Sequence, residues 1–146
     1  MKAPNKEEVI RKVGQWFAHA DEDIRLALGA MNLPGDEGPP YRLISYHAQQ
    51  CAEKYLKAYL VYQGVDFPYT HNISILLELC SEHADWPKGL EDAEELTPYV
   101  ITTRYPGEDT VVTKDEAQRA VEIAQRVRKQ VRTALKKLGL KLPSDE

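Results

Sequence analysis

The sequence predicts an all-α protein, an antiparallel up-and-down bundle of three long helices with one or two short ones. Apolar residues recur in steps of three and four through three long segments, the spacing that lines one side of an α-helix. Capping residues stand before the first and last of these segments, and glycines directly follow the second and last, as helix ends favour. No stretch carries the strict alternation of a strand, and Val111-Val112 is at most an isolated extended pair.

The first helix is predicted to start after Asn5, whose side chain can accept from the free amides of the first turn, with Glu8 placed for a capping box. Val9, Val13, Trp16, Phe17, Ala20, Ile24, Ala27, Leu28 and Met31 form its apolar stripe, while His19, Asp21, Glu22 and Asp23 fall mostly off it. The helix should end near Met31, because Pro34, Gly35, Gly38, Pro39 and Pro40 follow. The second helix, Tyr41 to Gln63, is the centre of the chain and stops at Gly64. Ile44, His47, Ala48, Cys51, Tyr55, Ala58, Tyr59 and Tyr62 make one row, and Ala52, Leu56 and Leu60 a second. So broad an apolar arc implies packing on more than one side. His47, Gln50, Lys54 and Lys57 make a polar row that can point into one groove.

A short turn leads to Thr70-His71-Asn72, where Thr70 or Asn72 can cap a third helix carrying Ile73, Leu76, Leu77 and Cys80. His83 to Gly89 reads as a break, and Leu90 to Tyr99 as a further short helix interrupted or ended around Pro98. The Pro106-Gly107 turn places Arg104 and Tyr105 at the mouth of a loop. Thr113 and Glu116 form a capping box for the last long helix, whose stripe runs from Ala117 to Leu138 before Gly139. Residues 1–4 and 140–146 are expected to be frayed tails of a single domain spanning 1–146.

With 146 residues the chain is the usual size of one domain. Apolar content of 42% and charged content of 29% are ordinary for a soluble protein. No apolar run is long enough to cross a bilayer, and the N-terminus lacks the apolar centre of a signal peptide, so a cytoplasmic location is expected. The two cysteines, Cys51 and Cys80, read as buried thiols, with no metal-ligand spacing and no cofactor motif. A net charge of −4 argues against bulk nucleic-acid binding by the whole surface. Even so, Arg126, Arg128, Lys129, Arg132, Lys136 and Lys137 cluster on the last helix. They suit either a helix C-terminus or contact with RNA or an acidic partner.

Tyr46-His47-Ala48-Gln49-Gln50-Cys51-Ala52-Glu53-Lys54-Tyr55-Leu56-Lys57-Ala58 resembles the signature helix of the HEPN domain family. Thr70-His71-Asn72-Ile73 and Arg104-Tyr105-Pro106 resemble its two further motifs, in the same order and over nearly the whole chain. The resemblance implies a bundle similar to the C-terminal helical domain of antibiotic nucleotidyltransferases. It also implies a homodimer, and a minimal nucleotidyltransferase as partner in a toxin–antitoxin-like pair. Some branches of the family bind nucleotides; others are metal-independent endoribonucleases that use an Arg and a His.

Two functions are therefore expected from the residues. A nucleotide-binding and interaction module would use Gln50, Lys54, Lys57, His71 and Arg104 as a cationic phosphate site, helped by backbone amides at Thr70 to Asn72. Each also has a plain structural reading: Glu53 and Lys57 as an ordinary i,i+4 pair, Lys54 solvated, His71 a capping or packing residue, Arg104 a brace of the turn or of the dimer. An endoribonuclease would use Arg42 and His47, an Arg-x4-His pair, to hold the phosphate charge and deprotonate the 2′-hydroxyl. Positions five apart on a regular helix diverge by about 140°, so this pair needs a dimer or an irregular helix start to converge. In the ribonuclease branches the motif falls in a later segment, where Arg104 has no His among the next six residues.

Overall fold

The computed structural model describes residues 5–100 and 111–142. These form α1 (Lys6–Ala30), α2 (Tyr41–Tyr62), α3 (Ile73–Ser81), a 3-10 helix (Leu90–Val100) and α4 (Lys114–Lys137), with no strand among the described residues. None of the described helices is long and apolar enough to cross a membrane.

The helix starts follow the side chains that stop the first-turn amides from going unpaired. Asn5 accepts from the Glu8 amide at 2.7 Å, Asn72 from the Ser74 amide at 2.9 Å, and Thr113 with Glu116 closes a reciprocal capping box at 3.1 Å in each direction. The ends of α2 and α4 follow one pattern. Gly64 and Gly139 take positive φ angles of 69° and 101°, and the next amides, Val65 and Leu140, reach back to the carbonyls of Leu60 and Leu135 at 2.9 Å each. This motif turns an apolar residue back against the helix, and Leu140 is buried accordingly, as is Leu142 beside Gly14. The frayed tail expected from residue 140 therefore does not begin there: 140–142 belong to the packed structure.

The segment Leu90–Val100 follows its sequence period. Its buried residues Leu90, Ala93 and Leu96 are three apart, the repeat of a 3-10 helix, whose residues at that spacing stack on one line.

Pairings between elements set the topology. Trp16 lies by Lys57 while Asp23 lies by His47, so α1 and α2 are antiparallel. Gly89 meets Arg126, Glu95 meets Arg119 and Tyr99 meets Glu116, so the 3-10 helix is antiparallel to α4. Arg132 meets Tyr55 and Leu138 meets Tyr62, which sets α4 parallel to α2. Direction thus alternates through α1, α2, the 3-10 helix and α4, with α3 as a short link. The helix α2 packs against all four other elements, which is why both of its apolar rows are needed. Ile44, Ala48, Cys51, Ala52, Tyr55, Leu56, Ala58, Tyr59 and Leu60 are all buried.

Candidate functional site: the polar network along α2

The polar row of α2 does not form one open cationic wall. It divides between two carboxylates. On the side facing α1, Asp23 takes both His47, whose Nδ1 is 2.8 Å from Oδ1, and Lys54, whose Nζ is 2.6 Å from Oδ2. Toward α3, Glu53 takes Lys57 at 3.0 Å, the ring Nδ1 of His71 at 2.9 Å and the Gln49 amide at 3.1 Å. Gln49 also donates to the His71 carbonyl at 3.2 Å and accepts from Gln50 at 2.7 Å. A continuous chain of donors and acceptors therefore runs Gln50, Gln49, Glu53 and then Lys57 or His71.

Burial decides what this chain can do. Gln49, Gln50, Glu53 and Lys57 are buried, and the Lys57 side chain is 7% exposed. Its ammonium lies 5.8 Å from the Trp16 ring centre and 5.9 Å from that of Phe67, within reach of a favourable cation–ring interaction. An ammonium so enclosed is held by its carboxylate and rings and is not presented to a ligand. Of the residues expected to hold phosphate, Gln50 and Lys57 are thus committed internally, and Lys54 is held by Asp23. His71 is half-exposed but turned onto Glu53. The helix end offers less than expected, because the Ser74 amide is satisfied by Asn72 and the Asn72 amide by Thr70 at 3.0 Å. Arg104, with the Arg104-Tyr105-Pro106 turn, lies outside the described residues. The reading of Glu53–Lys57 as an i,i+4 pair holds, with both side chains buried, whereas Lys54 is not simply solvated but pairs with Asp23.

Arg42 and His47 are not brought together. The helix is regular from Tyr41 onward, so the two side chains leave its axis about 140° apart. Arg42 is exposed, and His47 faces Asp23. Of the two routes to convergence, the irregular helix start is gone and the dimer is left.

A second polar cluster lies where α1, α2 and α4 meet. Asp21 accepts from Arg128 Nε and Arg132 at 2.9 Å each, and from the Tyr55 hydroxyl; Arg132 Nε also reaches that hydroxyl at 3.0 Å. Burial alone would raise the Asp21 carboxyl, but the hydrogen bonds from Arg128 and Tyr55 and the two guanidinium charges outweigh it and hold the group below its ordinary value. Burial, then the hydrogen bond to Asp21, push the Tyr55 phenol well up, so it stays a donor. The Arg132 guanidinium lies 4.7 Å from the Phe17 ring centre. The basic cluster of α4 is thus partly structural: Arg128 and Arg132 fasten α1, and Arg126 holds Asp92 at 2.8 Å and the Gly89 carbonyl at 3.4 Å.

The cysteines are chemically quiet. Burial pushes the Cys80 thiol up to about 12; Cys51 is raised further by burial and by the charges of Asp21 and Asp23. Asp21, Asp23, Gln49 and Glu53, the acceptors that organise both networks, are absent from the sequence-derived site. Asp23 had a signal: it stands three after Ala20 and four before Ala27, in line with the apolar stripe. Gln49, Glu53 and Lys57 likewise form an i, i+4, i+8 row of their own.

Comparison with known proteins adds what geometry does not. The family model described as the HEPN domain matches residues 13–134. The crystal structure of TT1696 from Thermus thermophilus is similar over 84% of this chain and 97% of its own, at 32% identity and a TM-score of 0.69. ST0689, titled an archaeal HEPN homologue, is similar over 84% of this chain and 96% of its own, at 27% identity and a TM-score of 0.65. No curated protein matches the chain.

Proposed function

The chain belongs to the HEPN domain family, and on that premise we propose that it is an interaction module and not a nuclease. It forms a homodimer and partners a minimal nucleotidyltransferase in a toxin–antitoxin-like pair. One observation carries this reading. Of the polar groups on α2 that a catalytic or phosphate-binding role would need, His47, Lys54 and Lys57 are already paired with Asp23 and Glu53, and the Arg42 and His47 of one chain diverge by about 140°.

Interaction is supported by what remains exposed. Leu26, Leu33 and Leu43, in α1, the following loop and the start of α2, stand 55%, 50% and 41% exposed and offer apolar side chains to a partner. Co-expression with a minimal nucleotidyltransferase, followed by size-exclusion chromatography with light scattering, tests the proposal. A complex containing two copies of this chain is expected, weakened by Leu33→Glu or Leu43→Glu. A monomer at micromolar concentration that ignores the nucleotidyltransferase would overturn it.

A further inference from the structure

A cavity of about 640 Å³ lies away from the polar network, between the end of α2, the loop 83–88 and the second half of α4. Volumes of this size are typical of sites for small organic molecules. Tyr59 lines it from a position about 140° around α2 from Lys54.

Its wall is aromatic and fixed. The Trp86 indole donates to the Cys80 carbonyl at 3.0 Å, and its ring meets Tyr59 edge-on, with centres 4.7 Å apart and planes at 70°. The indole is thereby held in place before anything binds. The rim is cationic. Lys88, Lys129 and Lys137 line the cavity, are exposed, and form no ion pair among the described residues, while Asp85 is the one carboxylate in the lining. Compensation of the helix dipole accounts for a lysine at position 137, in the last turn of α4, but not for Lys129 two turns earlier or for Lys88 on a loop. Gln130 adds an unmet polar group: its Nε2 donates to the Lys88 carbonyl at 3.4 Å, and its Oε1 is buried with no donor among the described residues.

We propose that this cleft binds a small organic anion with a flat apolar body, the body lying against Trp86, which the buried Tyr59 backs from the core, and the anionic head among Lys88, Lys129 and Lys137. Neither half suffices alone. Three exposed ammonium groups hold a hydrated anion weakly, and an apolar ring alone leaves the cations uncompensated. The inference concerns a different face from the network along α2 and stands whether or not the chain partners a nucleotidyltransferase.

The test is a ¹H–¹⁵N NMR titration with 1-naphthyl phosphate as probe, read at the Trp86 indole N–H. Saturable movement of that signal is expected, with inorganic phosphate and 1-naphthol each binding at least tenfold more weakly. Lys129→Glu should weaken binding at least tenfold and Thr133→Trp, which fills the mouth, should abolish it; Arg11→Glu, an exposed change on α1, should leave it unaltered. Both cleft positions are exposed, so the fold is expected to tolerate them. No movement of the Trp86 signal, or equal affinity in Lys129→Glu, or inorganic phosphate binding as tightly as the probe, would overturn the proposal.

Discussion

At the scale of single residues, the organising groups are buried carboxylates. Glu53 is 3% exposed and serves Lys57, His71 and Gln49 at once, so its removal would leave an enclosed ammonium without its counter-charge. Breaking a buried pair from one side typically costs about 3–5 kcal/mol, while replacing both partners with apolar groups of similar size often costs little. Glu53→Ala is therefore expected to lose about 3 kcal/mol in urea unfolding, and Glu53→Leu combined with Lys57→Met distinctly less. An equal loss in both would show that the pair does not carry the cost. Asp21 makes a pH-dependent contribution whose sign follows from its lowered carboxyl. A depressed folded value gives stability that is present above the unfolded aspartate value, near about 3.9, and is lost as pH falls through the lower folded value. The stability gap between wild type and Asp21→Asn should thus be widest near neutral pH and shrink below about pH 4; a gap that does not change with pH would count against this role.

At the scale of elements, most of the structure was legible because its determinants are local. Caps, glycine stops and apolar spacing involve residues within one or two turns, and Asn5, Asn72, Thr113, Gly64 and Gly139 act at the helix ends where the sequence placed them. Thr113→Ala should cost about 1 kcal/mol, seen as a lowered unfolding midpoint, since it opens the capping box of the helix that fastens α1. The polar networks were less legible because their partners are far apart in sequence. Lys54 and Asp23 are 31 residues apart, and Arg132 and Asp21 are 111 apart. A row of cations on one helix reads as an open site until the acid that faces it is placed. Asp23 sat in the apolar stripe of α1, and counting it as part of that stripe would have pointed to a buried acceptor. The packed Leu140 escapes sequence reading for a related reason: a glycine stop marks a helix end, and its motif then carries one more apolar residue back to the core.

At the scale of the molecule, α2 is both the packing centre and the family's signature element. The run from Tyr46 to Ala58 that suggests chemistry in the sequence is, in three dimensions, largely the means by which α1, α3 and α4 are fastened to the central helix. The bundle commits its central charges to its own assembly, while the exposed leucines and the Trp86 cleft are the surfaces proposed to meet other molecules. The claim that this chain docks and does not cut is tested most directly by incubating the purified protein with RNA in the presence of EDTA. The account predicts intact RNA, with wild type, Arg42→Ala and His47→Ala indistinguishable. Metal-independent cleavage by the wild type that disappears in both variants would contradict it.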